Sequence, residues 1–222
     1  MSINIAIDGP AGAGKSTMAK AIAREFGFIY VDTGALYRSV GLFALRAGID
    51  PSDSDAVTLT LALMKVELKF ADGEQRVFLN GEDVSESIRT PEASMAASAV
   101  SAIPAVRAFL FNLQKDIAAA GDCVMDGRDI GTVVLPGAQV KIFLTASPEE
   151  RARRRFRELE KNGIAADYDD VLAEMKQRDF NDSNRDIAPL KAAPDAVVID
   201  SSGMDIPQSV EKMIAVIREK LQ

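Results

Sequence analysis

Gly9-Pro10-Ala11-Gly12-Ala13-Gly14-Lys15-Ser16, directly behind the apolar run Ile3 to Ile7, decides how the rest of the chain is read. A strand that ends in G-x-x-x-x-G-K-S/T and opens into a helix is the phosphate-binding P-loop. Gly9, Gly12 and Gly14 let the backbone take left-handed dihedrals and turn its N–H groups inward around a polyphosphate. Lys15 reaches the outer phosphates as a point charge, and Ser16 offers a hydroxyl that can ligate Mg²⁺. The helix predicted over Lys15 to Phe26 aims its positive dipole end, about half an elementary charge, at the same anion. A plain Gly-rich turn with a surface lysine would need neither the preceding strand nor the following helix. The expected ligand is a nucleoside triphosphate, held by Gly9 to Thr17.

The 222 residues, 47% of them hydrophobic, can bury a sizeable core, and the length suits one domain with small insertions. The first eight residues carry no basic stretch followed by a long apolar one, and no later run is long enough to span a bilayer. A cytoplasmic location and no membrane contact are therefore expected. The one cysteine, Cys123, sits in an apolar run and is read as a small core residue, with no disulfide framework. The chain has no histidine, which excludes the common zinc sites and every His-dependent triad. Chemistry must run on Arg, Lys, Asp, hydroxyls and Mg²⁺. A net charge of −7 argues against a nucleic-acid partner, because non-specific binding needs a basic surface.

Apolar strand candidates alternate with helix-length segments: Ile3 to Ile7, Phe28 to Val31, Cys123 to Met125, Val140 to Leu144 and Ala196 to Ile199. That order predicts an α/β fold, a parallel five-stranded sheet with helices on both faces. Asp8, Asp32, Thr33 and Asp126 to Asp129 follow the strands, and in open α/β sheets ligands bind beyond the carboxyl ends of the strands. From Val66 to Val84, short apolar runs with turn signals at Asp72-Gly73 and Asn80-Gly81 predict a small antiparallel insert. Helices are predicted around Pro91 to Ser101 and Pro104 to Ala120, each with proline near its start. No internal repeat or linker suggests a second independent domain.

Anionic substrates in an acidic protein must be held by local clusters. Arg151, Arg153, Arg154, Arg155 and Arg157 follow the cap-like Ser147-Pro148-Glu149-Glu150. Two or three of them are read as a solvated face, and at least one as acting on transferred phosphate. D-T-G-A-L-Y-R (Asp32 to Arg38) puts a hydroxyl at a helix start and an arginine about one turn on. D-G-R-D-I-G-T (Asp126 to Thr132) sets Arg128 between carboxylates in a Gly-flexed loop. R-D-F-N-D-S-N-R (Arg178 to Arg185) alternates acids and bases where a plain helix end would need neither, and Arg107 sits early in the helix after Pro104. Any one is weak, since an Arg near an Asp is most often a surface pair worth under about 1 kcal/mol.

These motifs occur in the order, and near the spacing, of the bacterial cytidylate kinases, which the chain resembles over nearly its whole length. D-G-R-D-x-G-T and N-R-x-x-x-P-L are specific to that family, whereas the P-loop is shared with many others. The resemblance implies a P-loop NTPase three-layer fold with an antiparallel β insert and a helical lid. It implies transfer of the ATP γ-phosphate to CMP or dCMP, with Mg²⁺, in pyrimidine metabolism. It divides the chain into a core (1–33, 102–147 and 186–222), an acceptor-nucleotide part (34–101) and a lid (148–185). Arg38 and Arg128 go to the acceptor phosphate, Thr33, Arg178 and Asp182 to the pentose, and Ser98, Arg107, Asp129 and Arg185 to cytosine. Lys15, Arg128, Arg151 and Arg155 are the expected catalytic groups, and Ser16 the metal ligand. The family often has serine at the position of Thr33, and glycine is common at that of Ser16 in related kinases. A monomer is expected.

Three other readings share the first motif. A shikimate or gluconate kinase would not need the base-reading set at Asp129, Arg107 and Arg185. A GTPase switch would need an N-K-x-D segment, which the sequence lacks. An ATP-binding protein without turnover is the third.

Overall fold

The computed structural model describes residues 2–71, 74–161 and 163–222. A five-stranded parallel sheet has the order β2-β6-β1-β7-β8, with strands β1 (Asn4–Asp8), β2 (Ile29–Asp32), β6 (Cys123–Gly127), β7 (Val140–Thr145) and β8 (Val197–Asp200). A separate three-stranded sheet joins β3 (Val66–Ala71), β4 (Glu74–Leu79) and β5 (Glu82–Asp83). By contacts the chain forms two compact units, one of residues 3–28 and 123–222, the other of residues 29–122.

In the first unit β1 is central. Asp8 stands opposite Gly127 of β6 on one side and Phe143 of β7 on the other. Ile5, Ala6 and Ile7 are fully buried because both faces of a parallel sheet are covered, so the strand reads as a continuous apolar run instead of an alternating one. α1 (Lys15–Phe26) buries Met18, Ala19, Ile22 and Ala23, positions that share one helical stripe. It stops at Gly27, whose left-handed φ of 71° closes the helix. α6 (Pro148–Lys161) and α7 (Tyr168–Asn184) pack together through Ala152, Leu159, Val171 and Met175. α8 (Ile206–Lys220) starts with a reciprocal capping box between Asp205 and Gln208.

The second unit holds α2 (Thr33–Arg46), α3 (Ser54–Thr60), α4 (Pro91–Val100), α5 (Pro104–Ala120) and the three-stranded sheet. Leu36, Val40, Val57, Val77, Leu79, Val100, Val106 and Leu110 form its apolar centre. Asn80 (φ 51°) and Gly81 (φ 86°) make the turn between β4 and β5, while the predicted turn at Asp72-Gly73 lies outside the described residues. The proline starts of α4 and α5 are as predicted. Residues 102–122 pack in this unit, with Val106 and Leu110 in the same cluster as α2, whereas the sequence reading grouped 102–147 with the core.

β1, β2 and β8 each start one residue later than the apolar runs and extend one further. Asp8 and Asp32 therefore sit in the last rung of their strands instead of after them. The ladder is made by backbone, so it continues past the last apolar side chain. R-D-F-N-D-S-N-R is ordinary helix up to Asn184, with Arg185 as the capping residue. Its acids and bases are explained by what they face.

Candidate active site

The P-loop follows β1 without a break. Gly9 has φ 149°, and a Cβ there would lie 1.9 Å from the Leu144 carbonyl oxygen of β7, so only glycine lets the loop leave the sheet. Gly14 caps α1 at φ 89°, which leaves the first N–H groups of the helix for a ligand. Lys15 is buried and its Nζ donates to the Pro10 carbonyl at 2.8 Å, folding the side chain back across the loop. Burial, and next the charge of Arg128, lower its ammonium from 10.5 to about 7. The loop opens on a cavity of about 940 Å³ lined by Gly12 to Met18, excepting Ala13, by Glu150, Arg154, Arg155, Arg157 and Glu158 of α6, and by Met204 to Pro207. That volume suits a whole nucleotide.

The five arginines of α6 fall into distinct roles. Arg151 is 2% exposed, and its guanidinium donates to the carbonyls of Ala146 and Ala11 at 2.9 Å each and to both carboxylate oxygens of Asp179. It ties α6, α7 and the P-loop together. Arg153 is exposed and pairs with Glu150 at 2.9 Å. Arg154 donates to the Ser201 carbonyl at 3.0 Å, and Arg155 to Glu158 at 2.9 Å. Arg154, Arg155 and Arg157 line the cavity.

Asp126 and Gly127, expected after the third strand, are the last residues of β6, and beyond them the chain turns through a wide helical turn at Ile130–Val134. Arg128 Nε donates to Asp182 of α7 at 2.8 Å, and Arg185 pairs with Asp129 at 3.4 Å, both side chains of that second pair being almost wholly buried. Burial works against ionisation of Asp182, but the charges of Arg128, Arg178 and Arg185 outweigh it and hold the carboxyl below its usual range. Arg178 is half-buried on α7, and its charge bears on both Asp182 and Lys15. Five of the expected residues, Arg128, Asp129, Arg178, Asp182 and Arg185, thus form one electrostatic group with the P-loop lysine.

The other expected residues lie in the second unit. Asp32 caps α2 by accepting from the Ala35 N–H at 3.1 Å and holds Arg38 at 2.7 Å. Thr33 is the buried first residue of that helix. Arg107 is buried, donates to the Ser101 carbonyl at 3.4 Å and lies over the Tyr37 ring at 5.8 Å. Ser98 is half-buried on the last turn of α4. Sequence reasoning missed Gln75, which accepts from the Asp32 N–H at 2.8 Å, and gave no role to Asp179 within the quoted R-D-F-N-D-S-N-R segment, although it holds Arg151. A lone Gln in a strand and an Asp in an acidic helix carry no pattern that could have singled them out.

Ser16 Oγ donates to Asp126 Oδ2 at 2.9 Å, so a hydroxyl and a carboxylate meet at the mouth of the P-loop. Hard oxygen donors of this kind suit Mg²⁺, which keeps several waters and takes one or two protein ligands beside substrate phosphates.

With the geometry in view, the chain was compared with known proteins. It matches the cytidylate kinase family profile over residues 5–219. The chain belongs to the cytidylate kinase family. Its relatives include cytidylate kinases of Caldicellulosiruptor bescii, 52% identical over 96% of this chain and 94% of that one, and of Mycobacterium avium, 51% identical over 97% and 95%. That of Pasteurella multocida is 45% identical over 99% and 96%. Among solved structures, shikimate kinase from Bacteroides thetaiotaomicron superposes with a TM-score of 0.51 at 14% identity, covering 98% of this chain and 99% of that one. That likeness concerns the fold, a P-loop kinase architecture. The match to the cytidylate kinase family, by contrast, runs through the segments that hold Arg128, Asp129, Asp182 and Arg185.

Proposed function

We propose that this chain is a nucleoside monophosphate kinase that transfers the γ-phosphate of ATP to CMP or dCMP, giving CDP or dCDP and ADP. The observation that carries the reading is the buried Asp129–Arg185 pair beside Arg128–Asp182, at the strand ends next to the P-loop, in a chain of this family. A buried ion pair contributes little to stability after desolvation, so its presence beside the P-loop is more readily understood as recognition than as packing.

Donor and acceptor are both polyanions, so catalysis consists of alignment and of offsetting their repulsion. Gly9 to Thr17 wraps the ATP phosphates, and Lys15 swings from the Pro10 carbonyl to them. Arg38 and Arg128 hold the acceptor phosphate with guanidinium forks. Thr33, Arg178 and Asp182 take the pentose, and Ser98, Arg107, Asp129 and Arg185 read cytosine. Arg155 and Arg151 are the α6 candidates for offsetting charge on the transferred group, and Arg155 is the one that lines the cavity. No general base is needed, because a phosphate acceptor is already ionised near neutral pH. Ser16, with Asp126 behind it, would hold Mg²⁺, which when bound supplies charge neutralisation on the phosphates. Residues 148–185 act as a lid, 34–101 together with 102–122, which pack on them, as the acceptor-nucleotide part, and the remainder as the core. We place the enzyme in the cytoplasm as a monomer without nucleic-acid or membrane partners. No single described helix is long and apolar enough to cross a membrane.

The test is ADP release from ATP with a panel of monophosphates. A carboxylate at Asp129 accepts from the cytosine amino group but would face the uracil carbonyl acceptor to acceptor. Arg107 and Ser98 would also lose their acceptor at N3. Two such mismatches place kcat/KM for UMP about two to four orders of magnitude below that for CMP. Asp129→Ala loses most of the CMP rate and narrows that gap. Equal use of UMP or AMP by the wild type, or an unchanged preference in Asp129→Ala, refutes the assignment.

A further inference from the structure

We infer that Asp8 is a positioning residue for acceptor recognition: its carboxylate, delivered by the strand that carries the P-loop, fixes the loop that presents Arg128 and Asp129. The inference rests on the acceptor roles proposed above for those two residues.

Asp8 is the last residue of β1 and 4% exposed. Its side chain does not turn into the P-loop. Oδ1 accepts from the Ile130 N–H and Oδ2 from the Gly131 N–H, both at 2.7 Å and both across a sequence gap of more than 120 residues. Ile130 and Gly131 open the wide turn that follows Asp129, so their amides belong to the unpaired first donors of a helical segment. Both residues are buried, which leaves those amides without water if the carboxylate is removed. The turn closes on itself through Val133 N–H to the Asp129 carbonyl at 2.9 Å and Leu135 N–H to the Ile130 carbonyl at 2.7 Å. Asp8 therefore anchors the end of the loop from which Arg128 reaches Asp182 and Asp129 meets Arg185.

The fit around this anchor is close. A Cβ on Gly131 would come within 3.3 Å of Asp8 Oδ2 and within 3.2 Å of the Lys141 side chain, so any larger residue would press on the carboxylate and its neighbour by a few tenths of an ångström. The Lys141 ammonium is committed elsewhere, to the Pro136 carbonyl and to Asp195. It leaves the two amides as the hydrogen bonds that compensate the buried charge. Burial pushes the Asp8 carboxyl up to about 6, and the two amide bonds are the largest influences pulling the other way. The β1 ladder to β6 and β7 uses main chain alone, so the path of the P-loop does not depend on this side chain.

The experiment compares wild type, Asp8→Asn and Gly131→Ala in steady-state assays with ATP against CMP and UMP, with thermal melts to confirm folding. Asparagine keeps the shape, but its amide nitrogen meets one N–H donor to donor. The added methyl in Gly131→Ala crowds the same contact from the loop's side, pressing on Asp8 Oδ2 and the Lys141 side chain while keeping the carboxylate. Both variants are expected to raise KM for CMP about tenfold and to shrink the CMP over UMP preference about tenfold, with KM for ATP within about twofold of wild type. Should Asp8→Asn fail to fold, Gly131→Ala alone carries the comparison. A parallel rise of both Michaelis constants, or unchanged CMP parameters, overturns the inference. A wild type that does not phosphorylate CMP instead refutes the proposed function, which separates the two failures.

Discussion

Asp179→Asn isolates the tie between α7 and the P-loop. The Arg151 guanidinium is 3% exposed and the Asp179 side chain 22%, with N–O distances of 3.0 and 2.5 Å in a two-pronged pair. Removing one partner of a buried ion pair costs about 3–5 kcal/mol, because a charge is left without its counter-ion. Here the carboxylate is partly solvated and the guanidinium keeps the carbonyls of Ala11 and Ala146, so the expected loss is about 2–3 kcal/mol. For a chain of this size that lowers the melting temperature by about 5–10 °C. The assay is a thermal melt at pH 7 followed by the KM for ATP, which should rise because Arg151, still bonded to the Ala11 carbonyl but released from Asp179, holds the P-loop less firmly against α7. The double variant Arg151→Met/Asp179→Leu should recover much of the lost stability, since an apolar pair replaces two buried charges, but not the ATP affinity. A melt of Asp179→Asn within about 1 °C of the parent would show that this ion pair is energetically idle.

Lys15→Ala is expected to fold and to lose turnover by at least about a hundredfold, since it removes a charge aimed at the transferred phosphate and little packing; near wild-type activity in the folded variant rejects the P-loop reading. Between pH of about 7 and about 10.5 the unfolded chain keeps the Lys15 proton that the folded one has released, so this group makes ligand-free stability rise with pH across that window. A triphosphate draws the proton back, and ATP binding at pH 8 should be accompanied by net proton uptake. The uptake is read from binding enthalpies in buffers of different ionisation heat, and its persistence in Lys15→Met would assign it to another group. Backbone hydrogen exchange in α6 and α7 should slow when an inhibitor joining both nucleotides binds, because the arginines facing the cavity then have counter-charge; equal exchange with and without it rejects the lid.

The sequence alone determined the P-loop, the parallel character of the main sheet, the antiparallel insert and the family, because each depends on local patterns, whereas the strand order came only from the structure. Those patterns are glycine spacing, apolar runs, proline at helix starts and short motifs in fixed order. It also singled out Arg128, Asp129, Asp182 and Arg185 as a set. What it left open was partnership. Five arginines within seven residues are equivalent in one dimension. Only the packing of α6 against α7 turns Arg151 inward to Asp179 while Arg154, Arg155 and Arg157 face the cavity. Asp8 stood in the sequence as a residue ahead of the phosphate loop, yet its carboxylate serves amides more than 120 positions away. Gln75 met Asp32 in the same way. Such pairings need two strands or helices brought side by side, and the free energy that brings them there is apolar burial elsewhere in the chain, so no local pattern records them.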